Sequence, residues 1–159
     1  VSVKCVTVRR NPKNSLDPVI KSGNYLNNFL ALHEARKDGY FDALMLNQAG
    51  HVAELSTSNI FYVKDGIIKT PSLDCGILSG TTRNFILKIL TKANYNIQEG
   101  SFTYDELKDA DEIFMTSTLK EVLPITKLDN LIVGNGLPRA MTLQICELFK
   151  KEVNRLVYG

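Results

Sequence analysis

Apolar positions in this chain follow two rhythms, one of short runs and alternations and one of helical spacing. Val1 to Arg10 is rich in β-branched residues and reads as a strand. Short strands follow at Asp42–Asn47, Val52–Leu55 and Asn59–Val63, the first two joined by a turn at Gln48-Ala49-Gly50. Lys64-Asp65-Gly66-Ile67 predicts a hairpin, because Asp-Gly accepts the positive φ angles that match strand twist. Ile67–Thr70 is the returning strand, and Pro71 ends it. Further strands are expected at Tyr95–Glu99, at Glu112–Ser117 around the apolar run Ile113-Phe114-Met115, at Leu123–Thr126 after a turn over Thr118–Glu121, and at Leu131–Val133 after Asp129-Asn130.

Helical spacing fills the gaps. Asn24 can cap a helix running to about Asp38, with Gly39 as its stop, and Leu26, Phe29, Leu30 and His33 form one stripe along it. His33 closes that stripe as a packed or half-exposed histidine. A Gly- and Thr-rich loop over Cys75–Arg83 feeds a helix from about Thr81 to Ala93, with an apolar face of Phe85, Ile86, Ile89, Leu90 and Ala93. Tyr104–Lys108 is a short helix. Pro138 opens a last helix to about Leu156, with Met141, Ile145, Leu148 and Phe149 on one side. About ten short strands and three substantial helices in mixed order predict an α/β (α+β) domain with a heavily curved mixed sheet or pseudo-barrel. There is no internal repeat and no low-complexity linker.

Composition narrows the classes. A length of 159 residues favours a single domain over 1–159 with its own core. Nineteen Lys/Arg against 17 Asp/Glu gives a net charge of +2, without a basic block dense enough to engage nucleic acid or an anionic membrane. No apolar run approaches the roughly 18 residues that span a bilayer, and the opening Val1-Ser2-Val3-Lys4-Cys5 reads as strand, not signal peptide. Three cysteines, Cys5, Cys75 and Cys146, argue against a closed disulfide framework and for a cytoplasmic location. Two histidines without a CxxC or HxxxH pattern leave no structural zinc site.

Two residues suggest chemistry. Lys21 follows the apolar pair Val19-Ile20 at the mouth of a helix, where burial would favour the neutral amine needed for an imine. Glu54 stands 33 residues on and could hold a heterocyclic ring nitrogen in its charged form. Taken singly, each has an ordinary reading: a solvated loop lysine and a strand-end carboxylate. Tyr25 lies one helical turn after Lys21, where its hydroxyl could reach a bound cofactor or pack at the core's edge. Gly80-Thr81-Thr82-Arg83 opens a helix, and free N–H groups there attract an anion such as phosphate. Thr116-Ser117-Thr118 after an apolar strand could add hydroxyls. No Gly-x-Ser-x-Gly elbow, GxGxxG or GxxxxGK[ST] loop is present.

In order, Val8-Arg9-Arg10-Asn11-Pro12, Ile20 to Asn28, Val52-Ala53-Glu54, Ser58-Asn59-Ile60-Phe61, Thr70-Pro71-Ser72-Leu73, Gly76 to Arg83, and Ala110 to Thr118 with Glu121 and Pro124 resemble the class IV aminotransferases. That family of pyridoxal 5'-phosphate enzymes includes branched-chain and D-amino-acid aminotransferases and aminodeoxychorismate lyases. The resemblance covers nearly the whole chain. It implies that Lys21 binds the cofactor covalently and shuttles the substrate α-proton, that Glu54 holds the pyridine nitrogen, and that Tyr25 contacts the phenolate oxygen. It implies phosphate binding by Thr81, Thr82 and Thr118, and a substrate carboxylate facing the turn at Thr118-Leu119. Two positions depart from the family pattern: Leu55 follows the acid where glycine is common, and Thr81 replaces an isoleucine. The resemblance also implies that this is the large C-terminal domain, that a smaller N-terminal domain is absent from the chain, that apolar surface meant for it is exposed, and that the full-length protein is a homodimer.

The implied function is transfer of an amino group between a branched-chain or D-amino acid and a 2-keto acid. The alternative is aminodeoxychorismate lyase activity, giving 4-aminobenzoate and pyruvate, which Asn24-Tyr25-Leu26-Asn27-Asn28 and Thr70-Pro71-Ser72-Leu73-Asp74 also fit. A non-catalytic truncated domain is the third reading.

Overall fold

A computed structural model describes residues 1–18 and 20–159. Ten strands divide into two five-stranded mixed sheets. The first has the order β10-β9-β1-β2-β3, from β1 (Ser2–Cys5), β2 (Asp42–Leu46), β3 (Val52–Leu55), β9 (Lys127–Leu128) and β10 (Leu131–Ile132). The second has the order β6-β5-β4-β7-β8, from β4 (Asn59–Lys64), β5 (Ile67–Pro71), β6 (Ile97–Gly100), β7 (Glu112–Ser117) and β8 (Glu121–Ile125). β1 runs parallel to both β2 and β9, and β5 runs parallel to β6; the remaining pairs are antiparallel. The mixed α+β class agrees with the sequence pattern, with the curved sheet realised as two sheets.

Strand alternation sorts the apolar residues into layers, because successive side chains point to opposite faces. Leu44 and Leu46 of β2, Ile60 and Tyr62 of β4, and Ile113 and Met115 of β7 meet between the sheets, with Val3, Val52, Leu55 and Phe102. The alternate residues face outward. Phe61, Val63 and Phe114 pack under α2 (Thr81–Lys92) and α4 (Ala140–Tyr158), with Ile86, Leu90, Ile145 and Phe149. Ala43 and Met45 pack under α1 (Leu26–Lys37). Central strands are therefore covered on both sides, which is why they read as unbroken apolar runs.

Helix α1 departs from the expected stripe. Its buried face is Ala31 and Ala35, while Leu26 and Phe29 are each 62 % exposed and Leu30 is 46 % exposed. Two alanines a turn apart let the helix lie close on the sheet, and that contact fixes its rotation. His33 is exposed and stacks on Phe29 at 6.1 Å. β1 is shorter than expected, although Val6 and Arg10 still donate backbone hydrogen bonds to Leu44 and Leu46 at 3.0 and 2.9 Å. No helix among the described residues is long and apolar enough to cross a membrane.

Candidate functional site

An open cavity of about 610 Å³ lies where the two sheets meet. Four segments line it: the loop before α1, the β3–β4 turn, the approach to α2, and the β7–β8 turn. Lys21, Tyr25, Glu54, Thr81, Thr82, Thr118 and Leu119 all reach it, so residues up to 98 positions apart converge on one space.

Lys21 sits on the open side. Its Nζ donates to the Tyr25 hydroxyl at 2.8 Å, and its charge lies 5.4 Å from the Tyr25 ring centroid. Tyr25 is the N-cap residue of α1, so the helix start sets the hydroxyl's position. The sequence suggested a buried lysine; the structure leaves Lys21 exposed, because the loop carrying it runs along the cavity rim and neighbouring Ile20 is itself 64 % exposed. Val19, the other member of the apolar pair, lies outside the described residues.

Glu54 is the buried anchor, only 4 % exposed. Its Oε1 accepts from Arg10 Nε at 2.7 Å. Its Oε2 accepts from Asn59 Nδ2 at 3.2 Å and from the Leu78 backbone N–H at 3.0 Å. Burial pushes the Glu54 carboxyl pKa up, opposed by the Arg10 charge and the Leu78 N–H. One acceptor position on Oε1 remains for a donor in the cavity. Arg10 is fixed in turn, since its Nη1 donates to Asn27 and Asn28 at 3.2 and 3.3 Å. Leu55, the departure noted after the acid, is buried in the intersheet core and does not displace the carboxylate.

The third part is a cradle of donors. Helix α2 begins with Gly80 as N-cap and no side chain capping it, so its first N–H groups are open to an anion at the cavity wall. Thr82 is buried there, and Thr81 is exposed. A Cβ on Gly80 would lie 2.1 Å from Asn59 Oδ1, so only glycine allows the helix to start this close to the Glu54 network. Across the cavity, Thr118 and Leu119 form the tip of the β7–β8 turn, with Leu119 96 % exposed.

Sequence reasoning missed the roles of Arg10, Asn59 and Lys120. Arg10 was visible only as one of two adjacent arginines, and which one turns inward depends on the strand's register. Asn59 and Lys120 act by contacts across 5 and 78 positions that spacing does not encode.

The model of the family described as amino-transferase class IV matches residues 1–128. An aminodeoxychorismate lyase of Bacillus subtilis is 36 % identical over 157 residues, covering 98 % of this chain and 52 % of the relative. A D-alanine aminotransferase of Listeria monocytogenes is 37 % identical over 136 residues, covering 86 % and 47 %. The crystal structure of a branched-chain amino acid aminotransferase from Thermobaculum terrenum in its PLP form superposes with a TM-score of 0.92 at 32 % identity, covering 96 % of this chain and 50 % of that one. The chain thus spans about half the length of the relatives it matches. The family match over 128 of the 159 residues, with relatives at 36 and 37 % identity, shows that the chain belongs to the class IV aminotransferase family.

Proposed function

We propose that this chain forms the pyridoxal 5'-phosphate-binding part of an aminotransferase that moves an amino group between an amino acid, branched-chain or D-configured, and a 2-keto acid. The carrying observation is the single cavity that joins Lys21, Glu54 and the α2 start. The residues fit the cofactor by their own chemistry. A buried carboxylate has one acceptor position spare, a tyrosine hydroxyl stands beside the lysine, and the helix start is kept open by the absence of a side chain at Gly80.

When bound, the cofactor supplies an aldehyde for the amine and a protonated ring that draws electrons away from the substrate's α-carbon. Glu54 keeps the proton on the ring nitrogen, and Arg10 and Asn59 hold the Glu54 carboxylate in place. Tyr25 orients the Lys21 amine through their shared hydrogen bond. Lys21 Nζ would take the proton from the substrate α-carbon and deliver one to the cofactor's C4′, as a general base and then acid. Thr81, Thr82 and Thr118 bind phosphate, with the dipole of α2 adding attraction. The turn at Thr118-Leu119 faces the substrate carboxylate.

Half-length coverage of the relatives and the exposed Leu26, Phe29 and Leu30 face support a second unit completing the site, and a homodimer in the full-length protein. All three cysteines are free, consistent with the reducing cytoplasm. The full-length protein should show a visible imine absorption band, and Lys21→Ala should abolish it; a band unchanged in the variant would remove Lys21 from the mechanism. The lyase reading keeps support from the B. subtilis relative, which aligns over 98 % of the chain. Turnover of leucine or D-alanine that depends on an added keto acid favours the transferase. Stoichiometric 4-aminobenzoate and pyruvate from aminodeoxychorismate without a keto acid favours the lyase.

A further inference from the structure

Lys120 lines the cavity but has no part in the chemistry described above. It follows Leu119 on the β7–β8 turn of the second sheet. All three of its ammonium protons have acceptors: Asp42 Oδ2 at 3.0 Å, Thr57 Oγ1 at 2.9 Å and Ser58 Oγ at 3.2 Å. Asp42 begins β2 in the first sheet, and its side chain is 2 % exposed. Thr57 and Ser58 form the turn by which the chain passes from the first sheet to the second. One side chain therefore ties two cavity-wall turns to each other and to β2, across both sheets.

The anchor is rigid at each end. The other oxygen of Asp42 accepts from Ser56 Oγ at 2.5 Å, from the Ser56 N–H at 3.3 Å and from the Ala43 N–H at 2.8 Å. At the turn, the Lys120 backbone N–H donates to Ser117 Oγ at 3.1 Å. The ammonium also stands 5.5 Å from the Phe41 ring centroid. Fixing a lysine this way costs rotamer freedom, and a surface lysine would ordinarily keep it. A free lysine at the rim would attract an anionic substrate group. This one has its donors filled and its charge matched by a buried carboxylate, so it holds structure instead.

We infer that Lys120 is a positioning residue of the substrate rim: it pins the Thr118-Leu119 turn against the Thr57-Ser58 turn and so sets the opening through which the amino donor enters. The inference rests on the function proposed above. Of the cofactor contacts proposed above, Thr118 alone lies on this turn, while Lys21, Tyr25, Glu54, Thr81 and Thr82 lie elsewhere on the wall, so substrate fit should suffer more than cofactor retention. A misplaced wall weakens binding of whatever that wall orients.

The test uses the full-length, cofactor-loaded protein with Lys120→Met, which keeps the stem and removes the donors, and with Lys120→Arg. In Lys120→Met the KM for the amino donor should rise about tenfold, the effect of losing one charge-assisted hydrogen-bond set, while kcat stays close to wild type and cofactor affinity, read by absorbance titration, falls by a clearly smaller factor. Lys120→Arg should recover most of the loss. Amide hydrogen exchange should quicken in residues 56–58 and 118–120 of Lys120→Met and stay unchanged in β4 and β7. An unchanged KM with unchanged exchange would overturn the inference, as would equal losses of cofactor affinity and substrate affinity. If the Lys120→Met chain does not fold, Asp42→Asn, which weakens the same tie from its other end, is read by the same measurements and the same criteria. A wild-type protein that binds no cofactor defeats the functional proposal alone, and the exchange measurement still decides the role of Lys120.

Discussion

At the scale of single residues, the site depends on two fits that leave no slack. Gly80→Ala would force the new methyl group into Asn59 Oδ1, on the same amide whose Nδ2 donates to Glu54. Overpacking of this kind costs about 1–3 kcal/mol, and cofactor affinity should fall with it, measured by thermal unfolding and by absorbance titration. Arg10→Met leaves a buried carboxylate without its cation. Breaking such a pair costs about 3–5 kcal/mol, so chemical denaturation should show a loss far larger than for a surface arginine such as Arg155. The residue types were readable in the sequence: an amine before a helix, an acid on a strand, a glycine and two threonines opening a helix. Their partners were not. The Arg10–Glu54 pair joins residues 44 positions apart, and it requires β1 and β3 to flank β2 in one sheet.

At the scale of elements, local chemistry was read well wherever it was sufficient. Asp65 and Gly66 take φ angles of 49° and 75°, the left-handed pair that their sequence predicted for the β4–β5 hairpin. Helix α3 (Tyr104–Lys108) is held by a capping box, with Thr103 and Glu106 each accepting from the other's backbone N–H. The Thr103 N–H bond holds the Glu106 carboxyl below the usual carboxylate range. A carboxyl depressed in the folded state adds stability above its unfolded pKa of about 4.3 and loses it as pH falls through the folded value. The stability gap between wild type and Glu106→Gln should therefore be widest near neutral pH and close progressively below about pH 4, as measured by urea unfolding across that range. Helix α1 was misread because its hydrophobic stripe and its packing face differ. Periodicity reports where large apolar residues lie, and close approach to a sheet selects small ones.

At the scale of the whole molecule, the outward face of α1 has a measurable consequence. Leu26, Phe29 and Leu30 touch no core of this chain, so Phe29→Ser with Leu30→Ser should change its unfolding free energy by no more than about 0.5 kcal/mol per site. The same double substitution should reduce self-association in sedimentation velocity, because a continuous exposed apolar patch seeks a partner. A large fall in stability would show that these side chains are packed in solution. The layered arrangement of α1, two sheets, and α2 with α4 could not be ordered from the sequence. Strand lengths and helix faces were visible, but the pairing of β1 with both β2 and β9 has no local signature.

That pairing has a further consequence for biosynthesis. Ser2 and Val3 align with Lys127 and Leu128, so one edge of β1 stays unpaired until a segment 125 residues further along has been made. Closing so long a loop is slow. A nascent chain stalled before residue 127 should therefore bind chaperones that survey unsatisfied strand edges, and release from them should coincide with emergence of that segment from the exit tunnel.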